Sequence, residues 1–354
     1  MNCENSHRAS LSRPELKLLW MSFVLGYVLS WSPTSFAAQT WLSDTPTIGS
    51  GAAKDAVLPT DVERGFVGAP NMPLPSPIIE EGVSSQEFLA IRRSSNGIPS
   101  WQVLPAGLMF QSYLAGEKEP RFNSIWMKDQ NGKNNWETQL GGRVGVLRYG
   151  TDDVILPQGW QLDLEGGAQA RVMLDHKDDL EAVDFRIGIF STHRSGLWAA
   201  RWGYYHLSSH VGDEFLIANP GFDRLNYVRD SLLMAVSRDL LVRGRPDIKI
   251  YGEFAYALNH EYCLPMEFQT GSEYSPLVFN GLRGSPYLAI NGHFRQDRNW
   301  DAAGLNLVGG WQWRGEKTNH RYRLGLQYYN GPSLQWSFVG VDERLFGWGL
   351  WLDY

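Results

Sequence analysis

The sequence predicts an all-β fold, a closed antiparallel transmembrane β-barrel of about twelve strands, and three observations carry that reading. From Trp101 onward, long runs of residues alternate between apolar and polar side chains. Outside the first 40 residues, no stretch reaches the ~20 consecutive apolar residues that a spanning helix needs. The composition of the 354 residues, with 37 glycines and 13% aromatics, suits extended strands whose rings anchor at an interface.

The first element is an export signal. Arg8, Arg13 and Lys17 precede an apolar run from Leu18 to Trp31, and the small-residue stretch SPTSFAAQT follows it. This is the layout of a secretory signal peptide over residues 1–37, with Ser35 and Ala37 supplying the small side chains at the cleavage site. Its removal takes the formal charge from −6 to −7, because three basic and two acidic residues leave. Cys3 leaves with it, so Cys263 stands alone and no disulfide framework is expected. A net negative chain with scattered Lys and Arg has no electrostatic footprint for nucleic acid.

Residues 38–100 are rich in Pro, Gly, Ser and Thr and keep no period, which reads as a periplasmic linker before a barrel spanning 101–354. Twelve alternating runs are placed near 102–115, 136–149, 160–174, 183–193, 197–210, 224–240, 247–260, 265–275, 286–297, 302–314, 319–330 and 343–354. In the third, Trp160, Leu162 and Leu164 share one face, while Asp163, Glu165 and Arg171 share the other. Strands of a sandwich average five or six residues, whereas a tilted strand crosses hydrocarbon in ~9–11, so the length of these runs favours a spanning barrel. Connections at 116–135, 211–223 and 331–342 are long and those at 194–196, 241–246 and 315–318 short, the asymmetry expected between outer loops and periplasmic turns.

The inward parity collects Arg143, Asp163, Glu165, Arg171, Asp184, Arg186, Arg201, Arg229, Glu253, Arg295, Arg314, Arg321 and Arg323. Long side chains of both signs can cross-link and plug a lumen of this width. Trp101, Trp136, Trp160, Trp300, Trp311, Trp313 and Trp348 fall near strand ends or on outward parity, as aromatic girdles do. At the C terminus, Phe346, Trp348, Leu350, Leu352 and Tyr354 alternate up to a final aromatic residue. This ending resembles the recognition signal of bacterial outer-membrane barrel proteins, which implies the outer membrane as location and the barrel-assembly machinery as a partner through the last strand.

One constellation stands out. On the run 197–210, Trp198, Ala200, Trp202, Tyr204, His206, Ser208 and His210 share the lipid-facing parity. Residues two apart on a strand face lie ~6.6 Å apart, so an imidazole at His206 can serve as base to the Ser208 hydroxyl. A hairpin centred at residue 216 sets Asn226 opposite His206, at the ~4.5–5.5 Å Cβ spacing of a directly paired residue. His206, His210 and Asp213 as a metal set is disfavoured, because strand residues four apart lie ~13 Å apart. The plainer alternative is a polar strand end with no chemistry.

Gly203, Tyr204, His206 and Ser208, followed by Asn226 and a strand carrying Leu233, Met234 and Ala235, are similar to the local pattern of bacterial outer-membrane phospholipase A. That resemblance covers about 30 residues besides the strand count and the C-terminal ending. It implies Ser208 as nucleophile, His206 as base and Asn226 as orienter, with Asp223 in the last role if the register differs. Outer-leaflet lipids are then the substrate, a second copy of the chain is a candidate partner, and calcium is implied near the oxyanion. Asp213 and Glu214 are the nearby acidic candidates for that ion. The chain departs from the pattern in a longer serine–asparagine loop and in having Ser209 where the family has asparagine. As a whole it looks more like an uncharacterised bacterial domain-of-unknown-function family. Two functions follow as alternatives: a lipid acyl hydrolase, or a plugged or weakly conducting barrel that anchors without catalysis.

Overall fold

The computed structural model describes residues 98–297, 302–315 and 317–354. The expected signal peptide, all but the last residues of the expected linker, and Trp300 lie outside the described residues. Thirteen strands are described: β1 Ser100–Val103, β2 Phe122–Asp129, β3 Asn134–Gly150, β4 Gly159–Met173, β5 Asp179–Ser195, β6 Trp198–Val211, β7 Tyr227–Val242, β8 Arg245–Glu261, β9 Met266–Tyr274, β10 Ser285–Arg295, β11 Ala302–Arg314, β12 Arg321–Pro332 and β13 Asp342–Asp353. A six-residue helix, α1 Asp213–Ala218, lies between β6 and β7.

From β2 to β13 each strand pairs antiparallel with the next, and β13 pairs back onto β2, so that Trp348 faces Trp126 across the seam. The result is a closed barrel of twelve strands, in which no strand edge is left to begin unzipping. Alternation is what the sequence led one to expect. Along β6, Ala199, Arg201, Tyr205, Leu207, Ser209 and Val211 are buried inward, whereas Trp198, Trp202 and Tyr204 are exposed outward. Ile187 on β5 and Met234 on β7 are over 60% exposed on the same outer surface, and Arg143, Glu165 and Arg186 are buried on the inner one.

The first expected strand, 102–115, needs correction. Only β1 at its start is a strand, and it pairs with the end of β3, Trp101 opposite Tyr149. The chain then turns out of the wall through left-handed conformations at Leu104 (φ 50°) and Gly107 (φ 75°). A side chain at Gly107 would stand 2.2 Å from the Val154 carbonyl oxygen, so glycine is required there. Residues 104–121 cross the lumen and return to the wall as β2, inside the stretch expected to be an outer loop. β2 pairs with the start of the same β3, Asn123 opposite Gln139. The reason is burial on every side: Leu108, Met109, Phe110, Tyr113 and Leu114 are all at most 5% exposed, which a two-faced strand at a membrane surface does not provide.

A second segment also folds inward. Residues 333–341, between β12 and β13, bring Leu334, Gln335, Trp336 and Ser337 into the lumen. The two segments bind the wall through charge. Lys118 reaches Asp184 at 2.5 Å and donates to the Leu334 carbonyl. Glu119 is shared by Arg143 (3.3 Å) and Arg201 (2.9 Å), and Arg201 also holds Glu253. His293 bridges Glu117 and Glu267 at 3.1 and 2.9 Å. The expected plug is therefore built of backbone as well as of crossed side chains.

Aromatic rings gather on the outward face in two groups. Trp126 stacks between Trp348 (4.6 Å) and Trp136 (6.4 Å) in the middle of β2 and β13. Trp101 packs on Tyr149 (5.1 Å) and Trp160 (6.4 Å) at the end that carries the C terminus.

Candidate functional site

The outward face of β6 climbs away from the C-terminal end of the barrel, from Trp198 to His210. Flanking strands fix what each residue meets. His206 lies between Ile187 on β5 and Asp230 on β7, and Ser208 lies between Phe185 and Val228. His206 and Asp230 are joined by a 2.8 Å contact from Nδ1 to Oδ1. The same Asp230 oxygen accepts the Tyr204 hydroxyl at 2.6 Å, and its other oxygen accepts the Asn259 amide at 3.0 Å. A β-bulge between Asp230 and Ser231 in the β7–β8 pairing bends the strand where the carboxylate must turn toward its donors.

This arrangement sets the imidazole. A carboxylate only accepts, so Nδ1 carries the proton and Nε2 is left as the basic nitrogen. The side chains of His206 and Asp230 are 37% and 23% exposed, so both are reachable from outside the barrel. Ser208 sits on the same face two residues farther on, and among the described residues its hydroxyl has no hydrogen-bond partner.

Asn226 is not the residue opposite His206. The observed register pairs Ser209 with Tyr227 and His206 with Asp230, so the hairpin is centred two residues later than expected, with α1 taking up part of the connection. Asn226 stands before β7 and donates to Glu261 at 3.4 Å. Asp223 is exposed in the 212–226 connection, away from the ladder that carries His206. Ser209 points inward and bonds Asp184 and Ser337, out of reach of the outer surface.

Asp230 is the residue the sequence reading missed. Its signal was available: Val228, Leu232, Met234 and Val236 share its parity and are apolar, so a lone carboxylate in that row is an anomaly.

Asp213 and Glu214 occupy the first turn of α1 and are both exposed. Calcium takes six to eight oxygens, and among the described residues no group of three His, Cys, Asp or Glu side chains could hold a metal ion. The donor set therefore does not fit a built calcium site, and His206, His210 and Asp213 do not form a metal set either.

A family model described as "Protein of unknown function (DUF1207)" matches residues 79–354. Among curated proteins nothing matches the chain. Solved structures similar to it include outer membrane phospholipase A from Escherichia coli, at 13% identity and a TM-score of 0.44, covering 66% of this chain and 92% of that one. The calcium-bound dimer of the Salmonella typhi outer membrane phospholipase is similar at 13% identity and a TM-score of 0.45, covering 66% and 91%.

Proposed function

The chain belongs to the DUF1207 family, and we propose that it is an outer-membrane barrel acting as a serine acyl hydrolase on outer-leaflet lipids. The observation that carries this reading is the His206–Asp230 pair on the outward face, with Ser208 beside it. A polar pair facing lipid is costly to maintain, and where one occurs it marks a site.

The membrane position is supported by the apolar outer surface and its two aromatic clusters. Depth follows from strand geometry. A strand tilted by ~40° rises about 2.5 Å per residue along the membrane normal. With Trp198 in the periplasmic interface, His206 stands ~20 Å and Ser208 ~25 Å higher, at the top of an apolar band ~25 Å tall. That is the level of the ester groups of the outer leaflet.

The chemistry then runs laterally from the lipid. Ser208 Oγ attacks the ester carbonyl while His206 Nε2 takes its proton, and Asp230 holds Nδ1–H and stabilises the imidazolium. His206 returns the proton to the departing alcohol, and water, activated by the same nitrogen, releases the fatty acid from Ser208. The serine and histidine must close on one another when substrate binds, since catalytic hydrogen bonds are often long before that point. The terminal strand, with Trp348 and Phe346 outward and Tyr354 at its end, supports delivery by the barrel-assembly machinery.

A non-catalytic plugged barrel is favoured by one fact, the unpartnered Ser208 hydroxyl. The deciding experiment is fatty-acid release from phospholipid in calcium-containing mixed micelles. Ser208→Ala and His206→Ala should each lower the rate by about 10³-fold or more, Asp230→Ala by about 10²-fold or more, and Asn226→Ala little. All four variants should keep the altered gel mobility of an unheated barrel. Equal release by wild type and Ser208→Ala, or none from any glycerophospholipid, leaves the anchoring reading standing.

A further inference from the structure

At the C-terminal end of the lumen, Arg314 at the end of β11 lies directly opposite Arg321 at the start of β12. Both line a cavity of about 30 Å³ that Lys249 and the carboxylates of Asp239, Asp247 and Glu273 also border. Like charges placed opposite each other in a ladder destabilise it, so this pair needs a reason. Arg321 is 3% exposed, yet its guanidinium hydrogen-bonds to no described residue. Arg314 donates to Asn319 at 2.7 Å and to Ser275 at 3.1 Å, while its buried Nε has no partner.

The carboxylates around them are already matched. Asp239 holds Arg194 at 2.6 Å, Asp247 holds Arg245 at 3.1 Å, and Glu273 faces Lys249 at 3.5 Å. Asp353 is shared between Arg121 and Arg323. Among the described residues the two facing arginines, Arg321 buried and Arg314 half-buried, are therefore a surplus of positive charge, in a place where an uncompensated ion costs several kcal/mol.

We infer that this cavity is a binding site for one phosphate-class oxyanion, held by the forked guanidinium groups of Arg314 and Arg321. A guanidinium fork matches oxyanion geometry, which an ammonium does not. The cavity is small and opens to one side, so it suits one small anionic group and excludes a bulky ligand. In the orientation proposed above, the site opens toward the periplasm, where the group could be free phosphate or the phosphoryl end of an inner-leaflet lipid. This inference does not depend on the hydrolase reading, because the two sites lie at opposite ends of the barrel.

The test uses the mature chain folded in zwitterionic detergent, with inorganic phosphate as probe in equilibrium dialysis and in thermal unfolding. Wild type should bind one phosphate per chain and gain stability from it. Arg321→Gln should weaken binding about tenfold or more, while Arg321→Lys, which keeps charge but loses the fork, should fall between. In phosphate-free buffer of low ionic strength, Arg321→Gln should unfold no earlier than wild type, since one of two facing charges is gone. A merely structural arginine would give the opposite result. An Arg321-dependent shift produced by vesicles of anionic phospholipid, and not by free phosphate, supports the oxyanion site and assigns the lipid as its source. Absence of saturable binding in both arms, an equal effect of chloride at matched ionic strength, or undiminished binding by Arg321→Gln would overturn the inference.

Discussion

Arg201 is the residue whose loss should be felt most inside the barrel. It is 1% exposed, it bridges Glu119 on the luminal segment and Glu253 on β8, and it stands over the rings of Phe110, Tyr113 and Phe190 at 5.0, 5.1 and 5.4 Å. Arg201→Met keeps most of the stem and removes the charge. Glu119 then retains Arg143 at 3.3 Å, but Glu253 is left with only the Tyr113 hydroxyl and the Gln269 amide. Removing one partner from a buried pair costs about 3–5 kcal/mol, because the remaining charge has no counter-ion. With an unfolding slope of about 3 kcal/mol per molar urea, the midpoint should fall by about 1–2 M. The assay is urea unfolding in lipid vesicles, followed by tryptophan fluorescence and by the mobility of unheated samples on gels. Adding Glu253→Gln should restore most of the loss, since the orphaned charge is then gone. A midpoint within about 0.3 M of wild type for Arg201→Met, or a double variant weaker than the single, would refute the view that the buried Arg201–Glu253 pair contributes several kcal/mol to the interior.

Two further outcomes follow from the same interior. Because residues 104–121 and 333–341 fill the lumen, the protein reconstituted in a planar bilayer should show no steps of porin size; regular large steps would mean the plug is not in place. Cys263, 6% exposed in the turn between β8 and β9, has its thiol pushed up by burial, against the pull of the nearby Arg229. The thiolate is therefore scarce at neutral pH and increases only as pH rises. N-ethylmaleimide should label Cys263 slowly at pH 7 in the native protein and rapidly once unfolded, whereas labelling of Cys263 within minutes in the native state would contradict the burial.

The barrel was legible because each wall strand separates two unlike media. The outer surface carries Leu164, Ile187 and Met234, the lumen carries Glu165, Arg186 and Arg201, and a period of two results. Legibility failed where the lumen holds the protein's own apolar chain. On β2, Ile125 and Met127 face inward but pack with Leu334, Leu345 and Trp351, and Trp126 faces outward, so apolar residues fill both parities. The strand therefore has no alternating signature and resembles a loop. The opposite holds for 104–115, whose apolar residues satisfy a strand template equally well. Only the demand for burial on all sides, visible once Phe110 and Tyr113 are seen at 0% exposure, separates a plug from a wall.

For the site, parity was sufficient to bring His206 and Ser208 to one face, but register was not recoverable from spacing. The 212–226 connection contains α1, whose backbone hydrogen bonds, such as Asn219 N–H to the Phe215 carbonyl, consume residues that a plain hairpin would have placed in the ladder. A shift of two in the hairpin centre moves the facing residue by four, which preserves the face and changes the side chain from amide to carboxylate. The exchange alters the chemistry in a definite direction. An asparagine can orient an imidazole but adds no charge, whereas in the proposed reaction Asp230 would also stabilise the imidazolium. A bare carboxylate in an apolar surface row would be costly, and Tyr204, His206 and Asn259 supply the donors that hold it. Asp230 is thus retained on the outward face by three donors from two neighbouring strands, and one of those donors is the candidate base itself.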